Sequence, residues 1–195
     1  FFESSKKLFI VLFSFMLLGL VLVPSASAEP TVTLKLQVEE PAGSGIWRDA
    51  GVTRKTGETA RYRLFYSISD TEGSTFENAV VRIAFPGGYN VLSGVSDFIL
   101  PNTVQHVGGS ANSSGNKPFN ISINFKNPTQ AGVTGSVEFN LNSRAPSGPD
   151  GLLMTPTITM TGTTVKPNGT KEPLVVDTVT GPSWTVQAAT AWSVT

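Results

Sequence analysis

The sequence predicts an all-β fold, an immunoglobulin-like antiparallel β-sandwich preceded by a helical signal peptide. Three observations predict it. Apolar and polar residues alternate with a period of two in one segment after another. Clusters of Gly, Pro, Asn and Asp separate those segments. No stretch after residue 28 sustains a helical period. A strand with one apolar face must bury it, and two such sheets can do so against each other. A jelly roll is the alternative, because the chain is longer than a minimal immunoglobulin-like domain.

The chain has 195 residues and opens on Phe1. Lys6 and Lys7 precede an apolar run from Leu8 to Val23, and Pro24-Ser25-Ala26-Ser27-Ala28 follows. A basic start, an apolar middle and an Ala-x-Ala end make residues 1–28 a secretory signal. The small side chains of Ala26 and Ala28 set cleavage before Glu29. A membrane anchor is the alternative, but a span needs about 20 apolar residues.

Residues 29–181 hold the sandwich. Val32, Leu34, Leu36 and Val38 alternate with polar neighbours, and so do Ala60, Tyr62, Leu64, Tyr66 and Ile68. Ala79 to Phe85 form a third set, Phe119 to Phe125 a fourth and Val137 to Leu141 a fifth. Ile158 and Met160 belong to a sixth strand, and Val175 to Val179 to a seventh. Short strands are expected near Asp97–Leu100 and Thr103–Val107. Turn chemistry lies at Pro41–Gly45, Asp70–Gly73, Pro86–Gly88, Gly108-Gly109, Asn127-Pro128, Ser147–Gly151 and Pro167–Gly169. Gly108–Lys117 reads as a low-complexity loop. After Gly181-Pro182 the chain ends in strand-like residues, including Trp184 and Trp192. Residues 182–195 are therefore expected to be a linker and the start of a further β module, in a chain cut at both ends.

Composition narrows the function. There are 14 basic and 14 acidic side chains. That balance gives no electrostatic case for nucleic acid or anionic lipid, so membrane contact is expected only through the signal peptide during export. There is no cysteine, which excludes disulfides and thiolate metal sites. A secreted β-domain without disulfides points to a bacterial exterior, most simply Gram-positive.

Catalytic residues are not expected. The one histidine, His106, precedes Gly108-Gly109, and no Gly-x-Ser-x-Gly elbow accompanies it. It reads as a solvated strand-end residue. No cofactor is expected, with calcium the weak metal candidate: Asp70, Glu72 and Asp150 sit in turns that could offer oxygen ligands. An internal Lys–Asn or Lys–Asp amide could replace disulfides, but Lys35 alternates with Leu34 and Leu36 and so faces solvent. Trp47, Trp184, Trp192, Phe65 and Tyr89 form no visible aromatic stripe for a glycan. Phe65 lies on the polar side of its strand.

Gly57-Glu58-Thr59-Ala60-Arg61-Tyr62-Arg63-Leu64-Phe65-Tyr66-Ser67-Ile68 resembles the Gly-Asp/Glu-Thr-x-x-Tyr strand of conserved-repeat domains in Gram-positive surface proteins and adhesins. Ala79–Tyr89 is similar to that family's strand ending in Leu-Pro-x-Gly. Gly135–Leu141, Ala145-Pro146, Gly151 and Pro156–Gly162 resemble its closing strands. The likeness spans about residues 50–165. The chain departs from the pattern at Ser69-Asp70 and at Ile83, so no cross-link residue is carried over. The resemblance implies an immunoglobulin-like module, often in tandem, of isopeptide-type adhesins.

The expected function is therefore that of a non-catalytic module of a secreted, wall-attached surface protein, a stalk or an adhesin. Its expected partners are a host or matrix protein or a glycan, and neighbouring modules of the same chain. An accessory carbohydrate-binding module of a secreted hydrolase is the alternative.

Overall fold

Alternation of the predicted kind builds most of the long strands. A computed structural model describes residues 30–55, 57–70, 72–85, 92–110, 119–143 and 152–187. Among them lie β1 (Thr31–Glu39), β2 (Trp47–Arg48), β3 (Val52–Lys55), β4 (Thr59–Ser69), β5 (Thr75–Phe85), β6 (Leu92–Ile99) and β7 (Val104–Ser110). They continue with β8 (Phe119–Phe125), β9 (Thr129–Gln130), β10 (Val133–Ser143), β11 (Leu152–Met154), β12 (Thr157–Val165), β13 (Lys171–Thr180) and β14 (Trp184–Gln187). Residues 1–29, and with them Ala26, Ala28 and Glu29, lie outside the described residues. So do Tyr89, Asp150, Trp192 and the turns at 86–88 and 147–151.

Two large antiparallel sheets face each other as an immunoglobulin-like sandwich. One runs β2-β1-β4-β10-β6, the other β13-β12-β5-β8-β7, with β9 beside β5. On β4, Tyr62, Leu64, Tyr66 and Ile68 are fully buried, while Arg61, Arg63, Phe65 and Ser67 point the other way. Ile83, Phe85, Ile121, Ile123, Ile158 and Met160 come from the second sheet to meet them. Tyr62 packs edge-on against Phe85 and Tyr66 against Phe125, at ring separations of 6.1 and 4.8 Å. These contacts between sheets make one core, and aromatic pairs in this geometry add to plain area burial.

A third sheet, β11-β14-β3, closes one end. β14 lies between β11, antiparallel, and β3, parallel, with Trp184 opposite Val52. Trp184 is fully buried and belongs to the common core. This corrects the boundary expected at Gly181. Residues 184–187 are a strand of this sandwich, the indole filling space beside Tyr62 at 6.5 Å, while residues 188–195 of the expected linker and further module lie outside the described residues. The link is tight: a Cβ on Gly181 would press on Leu36, Pro156 and Ile158.

A second correction falls at Gly108-Gly109. Those residues lie within β7, paired with Ser122 and Ile121, rather than in a turn. Glycine without a Cβ is compatible with an edge strand, and the next strand supplies the pairing. The rest of the expected low-complexity loop, residues 111–117, lies outside the described residues.

Candidate functional site

The two outward sheet faces differ in chemistry. That of the second sheet carries short polar groups such as Ser122, Asn124, Thr159 and Thr161, with Arg82. That of the five-stranded sheet carries Trp47, Arg61, Arg63, Phe65 and Glu138. Trp and Arg are the residue types most enriched where proteins bind partners.

Register brings these side chains together. Arg63 on β4 sits between Gln37 on β1 and Glu138 on β10, and Glu138 in turn opposes Ile99 on β6. Phe65 sits between Lys35 and Ser136. The β1–β2 turn delivers Trp47 opposite Glu39. That turn needs left-handed backbone at Gly43 and Gly45, at φ of 75° and 72°. Their amides donate to the Glu39 carboxylate at 3.1 and 2.6 Å, so a buried acid holds the turn in place.

Once placed, the Trp47 ring receives two guanidinium groups, Arg63 at 4.6 Å and Arg61 at 5.6 Å from its centroid. Arg61 is ion-paired to Glu138. Arg63 donates to the Gln37 amide oxygen, and the Gln37 nitrogen donates to Asp49 at 3.0 Å. Asp49 also takes Lys35 at 2.8 Å. The Lys35 bond holds the Asp49 carboxyl below its ordinary value, with Gln37 adding to the effect. A bulge in β6, with Asp97 at φ 53°, brings that carboxylate to the Asn140 amide at 2.8 Å. The face is thus a braced lattice of aromatic and charged groups across all five strands of the sheet.

The other sequence candidates stand elsewhere. Lys35 faces solvent as its phase predicted, half exposed and paired to Asp49. His106 is exposed on edge strand β7. Asp70 spends its two carboxylate oxygens on the Glu72 and Ser74 amides, at 3.1 and 2.7 Å. Glu72 is on the same turn, and Asp150 lies outside the described residues. Among the described residues, no group of three or more His, Asp or Glu gathers as metal ligands would. A shallow cleft lined by Asn102, Thr103, Lys126, Pro128, Thr129, Gln130 and Val133 contains one cation and no acid or histidine.

Alternation alone puts Phe65 on β4 and Glu138 on β10 outward, as observed. It gives no sign that Trp47 joins Arg61 and Arg63, because the position of Trp47 depends on how the preceding turn folds.

No protein-family model matches the chain, and no curated protein matches it by sequence. Among solved structures, the fold is similar to a cohesin module from a Clostridium perfringens family 33 glycoside hydrolase. Identity is 8%, covering 82% of this chain and 100% of that one, at a TM-score of 0.43. It is also similar to the sixth cohesin of scaffoldin B from Acetivibrio cellulolyticus, at 14% identity over 80% and 99%, TM-score 0.43. The major pilin subunit of Bacillus cereus matches at 15% over 82% and 40%, TM-score 0.38. Likeness of this grade carries no inference about function.

Proposed function

We propose that the chain is a non-catalytic module of a secreted, cell-surface protein of a Gram-positive bacterium, serving as a stalk or an adhesin. The observation that carries this reading is the outward face of the five-stranded sheet. It sets Trp47, Arg61, Arg63 and Phe65 half-buried on rigid strands, a pattern suited to recognition rather than to chemistry. The motif resemblance of residues 57–68 to surface-protein repeats supports it. Export by residues 1–28 with cleavage before Glu29, and wall attachment in the full-length protein, belong to the same reading. The partner on this reading is a host or matrix protein.

The test is retention of the chain on immobilised matrix proteins and on insoluble polysaccharides. Trp47→Ala and Phe65→Ala are expected to abolish retention on protein without lowering the melting temperature. N-terminal sequencing of secreted chain should begin at Glu29. Retention on polysaccharide alone would instead favour an accessory carbohydrate-binding module, the reading that Trp47 and Phe65 on one flat face also support. Retention untouched by either substitution removes this face from the proposal.

A further inference from the structure

On this face one charge has no counter-charge among the described residues. Each acid near Arg63 is committed elsewhere. Asp49 takes Lys35 and Gln37, and Glu138 takes Arg61 although Arg63 lies directly opposite it. Asp97 takes Asn140 and Ser96, and Glu39 takes the amides of Gly43 and Gly45. Arg63 has the neutral amide oxygen of Gln37 and the face of Trp47. Among the described residues it enters no ion pair, and its Nε is covered and makes no hydrogen bond.

A guanidinium that loses water without gaining a counter-charge is held at a cost. Here it is also held still. Trp47 stacks on it and Gln37, itself fixed by Asp49, anchors one end. Guanidinium presents a planar fork that matches a carboxylate, and prior immobilisation lowers the entropy lost on binding. Two apolar groups flank this polar cluster: Phe65 is two residues along the same strand face, and Ile99, 55% exposed, lies beyond Glu138.

We propose that Arg63 receives an aspartate or glutamate side chain of a partner protein, whose flanking apolar side chains rest on Phe65 and Ile99. The proposal rests on the docking-face reading above. The apolar flanks select a protein over an acidic sugar, because isoleucine offers nothing to the hydroxyls that ring a saccharide. Steering by the unanswered charge would also make the encounter salt-sensitive.

The experiment uses the whole chain on an array of immobilised peptides with a central Asp or Glu between apolar residues. The same peptides with Asn or Gln, and polygalacturonate as an acidic glycan, stand beside them. Binding is expected to the acidic peptides, and to weaken as salt is raised. It should fall at least about tenfold for the Asn and Gln peptides and for Arg63→Gln, as for truncation of a buried charge pair. Arg63→Lys should recover part of it, since the charge remains and the fork is lost. An unchanged melting temperature for Arg63→Gln separates binding from folding. Equal binding by Arg63→Gln overturns the proposal, as does capture by polygalacturonate in place of peptide, or no binding to either. If Phe65→Ala and Trp47→Ala abolish retention on matrix protein while Arg63→Gln does not, the face stands as a docking surface and Arg63 falls. If none of the three matters, the face itself falls.

Discussion

Tyr62 and Tyr66 stand four residues apart on the same face of the same strand, both fully buried, yet they end in opposite situations. The Tyr66 hydroxyl meets Thr103, which arrives from the β6–β7 connection. The Tyr62 hydroxyl makes no hydrogen bond among the described residues, and nor does the indole nitrogen of its neighbour Trp184. Burial raises both phenol pKa values. At Tyr66 the Thr103 bond works against that rise, and at Tyr62 the Arg54 charge does. The Tyr66 end is polar chemistry resolved in pairs. The Tyr62 end is dominated by packing, with Arg54 on the Glu39 carbonyl and the Glu40 carboxylate at its margin. One end should therefore be sensitive to loss of volume, the other to loss of a hydroxyl.

The largest expected effect tests the packed end. Trp184→Ala removes a fully buried indole and should cost about 3–5 kcal/mol in denaturant unfolding. A loss below about 1 kcal/mol would show that β14 is not part of the core. Next is Gly135→Ala at the other end, where a new Cβ would collide with the Tyr66 hydroxyl. Overpacking of this kind should cost about 1–3 kcal/mol. Combining it with Tyr66→Phe should restore part of that, and additive losses would break the explanation.

The paired Tyr→Phe substitutions sharpen the contrast. Tyr66→Phe leaves Thr103 without its partner and should lose about 1 kcal/mol. Tyr62→Phe removes a buried hydroxyl that makes no hydrogen bond among the described residues and should be neutral or stabilising by up to about 1 kcal/mol. Equal losses at both sites, measured by thermal and denaturant unfolding, would erase the difference between the ends. The smallest effect belongs to the outer face. Asp49 has its folded pKa depressed, so its contribution is present above the unfolded carboxylate value and is lost as pH falls through the lowered one. Both partners are at least half exposed, so that loss should be about 0.5 kcal/mol or less. Asp49→Asn should flatten it.

The long strands β1, β4, β5, β8 and β10 were legible because a period of two repeats often enough to be seen, whereas β6 and β7, broken by bulges and by Gly108-Gly109, were seen only in part. The inward phase of Leu34, Tyr62 and Ile83, and the outward phase of Lys35 and Phe65, follow from alternation alone. β2, β3, β9, β11 and β14 are two to four residues long, too short to carry a period. The Gly181-Pro182 step resembles a module boundary, and nothing local to Trp184 announces that its partner is Val52. Nor does Trp47 carry its own address. The five-residue turn before it, and the carboxylate of Glu39 that holds the turn, decide that it lies beside Arg61 and Arg63. Pairings distant in sequence are where single-chain pattern reading runs out.

The central place of β14 has a consequence in time. Ribosomes make chains from the N-terminus, so the strand that separates β3 from β11 is among the last of the described residues to emerge. Until it does, β3 and β11 lack their shared neighbour and the core around Tyr62 has a hole the size of an indole. A nascent chain halted at Gly181 would therefore remain open to proteases at that end, however complete its two large sheets. The module is latched from its C-terminal side.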